Sequence, residues 1–174
     1  SSRADASTNG FALDEFLLAP LRIHLLQDTN APPVHTTLTD SDIGRILGKM
    51  NRIWSQAGIH FYLESLLREK AVNGKDYDPK KRAGRDTLLP LRPQESLSRE
   101  TFHVYYVKQL RPNGIFLGPA SFVKDTARLR KAEGGIDEPL PRVSSHELGH
   151  ALGLGHRQNI TNLMASGMTG CWLN

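Results

Sequence analysis

His146-Glu147-Leu148-Gly149-His150-Ala151-Leu152-Gly153-Leu154-Gly155-His156 places three histidines, one glutamate and three glycines within eleven residues. An α-helix turns about 100° per residue, so His146 and His150 share a face and can hold one metal ion. Glu147, one position on, stays near enough to that face to reach a water beside the metal. Its carboxylate therefore reads as a base and not as a ligand. On a straight helix His156 would lie about three turns away from His146, so the chain must leave the helix to bring it back. Gly153 is the residue type that ends a helix in a left-handed conformation without a Cβ penalty, and it stands where such a turn returns His156 to the ion. Three neutral imidazoles leave one tetrahedral position open. That openness marks a catalytic zinc site, whereas structural sites are closed by four protein ligands.

Eight residues beyond His156 comes Met164, within Asn162-Leu163-Met164-Ala165-Ser166-Gly167. The extended histidine pattern followed by this methionine resembles the metzincin clan of zinc metalloendopeptidases. The run from Asp137 to Gly170 looks most like bacterial matrixin-like proteins. The resemblance implies an α+β fold: a twisted mixed sheet of four or five strands, a backing helix, a zinc-site helix and a short lower part after the methionine turn. It implies that His146, His150 and His156 bind one catalytic zinc ion, that Glu147 is general base and acid, and that Gly153 makes the turn and Met164 the apolar floor. Residues Ala165 to Cys171, with Ala165, Ser166 and Gly167 foremost, would shape the pocket for the side chain following the cut bond. The implied activity is zinc-dependent hydrolysis of internal peptide bonds in extended polypeptides, through a water on zinc activated by Glu147. The implied location is secreted or periplasmic. Clan members continue past the methionine into a C-terminal helix, for which the ten residues after Met164 leave little room; the expectation is a minimal form or a fragment. A zinc-containing protein-binding module with little or no catalysis is the alternative. Glu147 argues against it, because a structural site has no use for that carboxylate.

At 174 residues the chain reads as a single domain with a real core, divided as a flexible tail at 1–10 and a catalytic domain at 11–174, its upper part 11–153 and its lower part 154–174. No apolar run is long enough for a membrane span, and Ser1-Ser2-Arg3-Ala4-Asp5 does not read as a signal peptide. A single cysteine excludes an internal disulfide. The net charge of +4 is concentrated in two clusters, Lys75 to Arg85 and Lys124 to Lys131. Neither has aromatic residues interleaved for base stacking, which argues against a nucleic-acid partner; the resemblance implies a protein or peptide substrate, and a monomer is the expected state.

Leu21, Ile23 and Leu25 alternate with Arg22 and His24, the period of a strand with one buried face. From Ile43, the apolar residues Ile46, Leu47, Met50, Ile53, Trp54 and Ala57 follow at helical spacing, with Thr39 or Ser41 as cap and Gly58 as stop. His60 to Leu63 reads as a second strand, and Leu66 to Ser98 as irregular surface connection. Phe102–Val107, Gly114–Leu117 and Ser121–Val123 supply further strands. Glycines and prolines crowd the middle one, so it is expected at a sheet edge. There Ile115, Phe116 and Leu117 could pair with an extended peptide as a substrate rail. Pro139 marks the loop before the zinc helix and Pro141 suits its first turn, with Val143, Leu148, Ala151 and Leu152 toward the core. His24, His35, His60 and His103 show no ligand spacing among themselves. Cys171 is either a small packed residue or a thiolate near enough to cap an open zinc position.

Overall fold

The computed structural model describes residues 15–174. The expected tail at 1–10 and the expected onset of order near Phe11 lie outside them. The elements are β1 (Leu17–Gln27), α1 (Asp40–Trp54), β2 (Ile59–Lys70), a single-turn α2 (Arg85–Leu88), β3 (Phe102–Val107), β4 (Gly114–Phe116), β5 (Ser121–Lys124) and α3 (Pro139–Ala151). The strands form one five-stranded sheet in the order β2-β1-β3-β5-β4. All neighbours are parallel except β4, which runs antiparallel to β5 at the edge. The result is a mixed α+β architecture of the expected strand count. No helix among the described residues is long and apolar enough to cross a membrane.

Helix α1 is specified locally. Asp42 N–H donates to Thr39 Oγ1 at 3.1 Å and Thr39 N–H donates to the Asp42 carboxylate at 2.8 Å, so two donors with no partner inside the helix are satisfied reciprocally. Gly58, at φ +66°, closes the far end. Ile43, Ile46, Met50, Ile53 and Trp54 form its buried stripe. Asn51 fastens the helix to β2 by exchanging two 2.8 Å hydrogen bonds with the Phe61 backbone. This stripe, one face of the sheet (Leu21, Ile23, Leu25, Val104, Tyr106) and Val143 and Leu148 of α3 make the main core.

Three expectations need correction. The first strand is buried on both faces, with His24 and Leu26 as inaccessible as Leu25. It lies in the sheet interior, and the segment after β2 folds over its second face. That segment is no surface connection: β2 runs on to Lys70, and Leu88 and Leu91 pack with Leu26, Tyr105, Val107 and Phe122 in a second core. The cause of the misreading is a bulge. Leu21 pairs with Leu63 but Arg22 pairs with Ser65, so Glu64 is an extra residue that breaks the alternation partway along the strand. Finally, α3 begins at Pro139 itself, which occupies the first helical position, where its missing N–H is no loss. Leu152, just past the helix end, is exposed and not part of the core.

Candidate metal centre and cleft

Helix α3 carries His146 and His150 one turn apart and stops where a third histidine can join them. Gly153 adopts φ +88°, its N–H donates to the His150 carbonyl at 2.9 Å, and Leu154 N–H donates to the Gly149 carbonyl at 2.9 Å. The chain reverses there, as the position of Gly153 led one to expect, and His156 comes back over the helix end. The His150 Nε2 atom then lies 3.1 Å from that of His146 and 3.2 Å from that of His156. All three donor atoms fall within 4.8 Å of one another, the one such histidine, cysteine or carboxylate group among the described residues.

The proton positions follow from the partners. His146 Nδ1 is 2.7 Å from the Leu163 carbonyl and His150 Nδ1 is 2.8 Å from the Leu154 carbonyl. A carbonyl oxygen can only accept, so both Nδ1 atoms carry the proton and both Nε2 atoms present lone pairs. Two lone pairs facing each other at 3.1 Å repel unless a cation lies among them. Zinc-to-imidazole bonds of about 2.0–2.1 Å at tetrahedral angles put neighbouring nitrogens about 3.3 Å apart. The donor set therefore fits zinc in chemistry and in spacing. Burial favours the neutral imidazole as well, pulling His146 down to about 4.

Glu147 is buried beside this cluster, and burial raises its carboxyl to about 8, opposed by a hydrogen bond from the Phe116 main-chain N–H. The space it occupies exists because position 114 is glycine. A methyl group there would come within 2.7 Å of Val143 Cγ1 and 2.9 Å of Glu147 Oε1. Met164 is buried in the main core, and its sulfur fills the space above Gly149 so closely that any side chain at that position would overlap it. Its N–H is held by Asn162 Oδ1 at 2.8 Å, and its carbonyl accepts from Arg157 N–H at 2.9 Å. The turn around Met164 is thus tied to the residue after the third histidine.

The three histidines and Glu147 open onto a cleft of about 400 Å³, and Met164 is not among its lining residues. Of the residues expected along it, Ile115, Phe116, Ser166 and Gly167 line it. Leu117 and Ala165 do not: Leu117 packs toward the second core, and Ala165 is buried with its N–H bonded to the Asn162 carbonyl. Strand β4 is at the sheet edge as expected. Thr169 lines it from within the expected run Ala165 to Cys171, whereas sequence reasoning missed Asn113 and Leu129, which also line the cleft. No local pattern marks them, because they arrive from loops. Cys171 faces elsewhere. It is buried against Gly135, its carbonyl accepts from Gln56 Nε2 at 2.9 Å, and it does not line the cleft, so it cannot cap a metal there. His24 and His103, separate in sequence, meet on the second face of the sheet at 2.8 Å, with Glu69 at 2.8 Å from the far nitrogen of His24.

No family model matches the sequence, and neither does any curated protein. Among solved structures the fold is similar to archaemetzincin from Methanopyrus kandleri, at a TM-score of 0.52 and 16% identity, covering 84% of this chain and 80% of that one. A zinc-dependent peptidase from Methanocorpusculum labreanum aligns at a TM-score of 0.44 and 16% identity, covering 82% of this chain and 87% of the other. At such identities the likeness is one of fold. The chemistry must come from the residues themselves.

Proposed function

We propose that the protein is a zinc-dependent endopeptidase of the metzincin type, with His146, His150 and His156 as ligands of one zinc ion and Glu147 as the catalytic base. The observation that carries this reading is the convergence of three Nε2 atoms, two of them with their lone pairs fixed inward, beside a buried carboxyl at an open cleft. A structural site would need a fourth ligand, and none of the described residues joins the three. Bound zinc supplies Lewis acidity, making water a nucleophile near neutral pH and polarising the peptide carbonyl.

The chain's own groups account for the rest of the reaction. Glu147 takes the proton of the attacking water and hands it to the leaving amine, as a general base and then a general acid. Burial raises the carboxyl's proton affinity and suits it to the second half of that cycle. The Leu163 and Leu154 carbonyls hold the His146 and His150 rings in the required tautomer. An extended polypeptide has room along β4, the edge strand, where Ile115 and Phe116 flank the cleft, and Ser166 and Gly167 bound the opposite side. A secreted or periplasmic location belongs to the same reading.

The test is incubation of zinc-loaded protein with a peptide library, a chelator control, and mass spectrometry of the products. Cleavage within peptides, abolished by chelation and restored by zinc, is the expected result. A protein that holds one zinc ion and cleaves nothing would instead be a zinc-containing binding module.

A further inference from the structure

We infer that Arg142 is a positioning residue: it bolts together two chain segments that form one wall of the cleft, and so sets which substrate side chains that wall admits. The inference rests on the peptidase reading above. Arg142 is 1% exposed, yet its nearest carboxylate among the described residues, on Asp137, is 3.9 Å away. That distant, half-exposed carboxylate does not satisfy the guanidinium's donors, and a buried cation is costly unless they are satisfied. Here they are, entirely by main-chain carbonyls. The Nε–H donates to Thr169 at 2.9 Å, and Nη1 donates to Arg130 at 2.8 Å and to Asp137 at 3.2 Å. The remaining nitrogen, Nη2, donates to Thr169 and, at 3.3 Å, to Met168. Five N–H groups serve four carbonyls on two segments, 130–137 and 168–169, that are remote in sequence and lie outside every helix and strand.

Those segments form the wall. Leu129 and Thr169 line the cleft, while their neighbours Arg130 and Met168 line a second recess of about 310 Å³ behind it. The chain at 129–130 and at 168–169 thus borders open space at consecutive residues. Packing alone supports such a wall poorly, and the guanidinium fixes its carbonyls from the base of α3. Lysine could not substitute, since an ammonium has three donors and no planar fork. Apart from Glu147 and the three histidines, the residues that line the cleft, Leu129, Val143, Gly167 and Thr169 among them, are all uncharged. The substrates that fit are peptides with a compact uncharged side chain beside the scissile bond, and the limit on size is set by a wall that Arg142 prevents from yielding.

The experiment compares zinc-loaded native protein with Arg142→Lys and Arg142→Ala on peptides that differ at one position beside the cleaved bond, from Ala through Leu to Trp, Asp and Lys. The native protein should favour Leu over Trp at least about tenfold, and Arg142→Lys should bring that ratio close to unity through KM, with kcat on the best small peptide within about twofold and zinc content unchanged. Amide exchange in residues 165–170 should accelerate while that of α1 does not. Millimolar guanidinium, and not ammonium, should restore the preference of Arg142→Ala. If Arg142→Ala does not fold, Arg142→Lys carries the same comparison. An unchanged Leu-to-Trp ratio in zinc-loaded Arg142→Lys, or a fall in kcat with the ratio intact, overturns the inference and leaves the peptidase reading standing. Failure of the native protein to cleave any peptide overturns the peptidase reading instead. Arg142 is then judged by exchange and by calorimetric binding of the same uncleaved peptides, where unchanged values in Arg142→Lys refute its role.

Discussion

Gly114→Ala tests whether the position of Glu147, and not merely its presence, governs activity. The added methyl would stand 2.7 Å from Val143 Cγ1, 2.9 Å from Glu147 Oε1 and 3.0 Å from Glu147 Cγ. Non-bonded carbons rest at about 3.5–4.0 Å, so one of the partners must retreat by about 0.8 Å or more. Val143 and Glu147 are both buried and both border the cleft, but the Glu147 carboxyl ends a longer, unbranched side chain and is the group that moves. Overpacking of this kind costs about 1–3 kcal/mol of stability. A displacement of about 1 Å at a catalytic group costs on the order of a hundredfold in rate. Zinc binding should be untouched, because no histidine atom is among the groups crowded by the methyl. The assay is kcat/KM on a peptide substrate with zinc content measured on the same sample. A Gly114→Ala protein holding one zinc and retaining activity within about twofold of native would refute the placement of the base.

Other perturbations have equally definite outcomes. His150→Ala should lose both zinc and hydrolysis, checked by metal analysis after dialysis. Gly153→Val forces a β-branched residue into φ +88° and moves the Leu154 carbonyl off His150; by the usual effect of outer-shell partners, zinc affinity should fall about 10- to 100-fold in a competition titration. Gly44 of α1 is exposed with open space about it, so Gly44→Ala should raise the unfolding free energy by about 1 kcal/mol, and a lowered urea midpoint would contradict the capped helix described above. Acid should weaken the fold through the buried histidine pair. Desolvation lowers His24 to about 3 and lowers His103 too, so between about pH 6.5 and 3 the unfolded chain binds protons that the folded one refuses. Stability is then complete above pH 6.5 and is lost as pH falls through that window, by up to about 5 kcal/mol for His24, less what the Glu69 contact offsets. Urea unfolding at pH 7 and pH 5 should show a smaller acid loss in His24→Gln than in native protein; equal losses would remove His24 from the explanation.

What could be read in advance was whatever is encoded over a few turns of chain. The metal trio, the reversal at Gly153 and the cap at Thr39 depend on residues within eleven positions of one another, and each is found where the spacing put it. The second face of the sheet was not legible, because the burial of His24 and Tyr105 depends on the segment after β2, whose Leu88 and Leu91 follow no period. Glu64 hid the length of β2 by inserting one residue into an otherwise regular pairing. Part of the cleft wall was hidden for a similar reason: Leu129 joins the expected run at Thr169 only in the folded chain. Arg142 did leave a trace. It is a cation near the start of a helix, where the helix dipole disfavours positive charge, and the compensating carbonyls come from two distant loops.

The account stands most directly on a paired measurement: metal content and peptide cleavage for native protein and for Glu147→Ala, prepared alike and loaded with zinc. The histidine cluster and the buried base predict one zinc ion in each, with internal bonds cut by the native protein and no product from the variant. Undiminished cleavage by the variant, or zinc retained by neither protein, would contradict it.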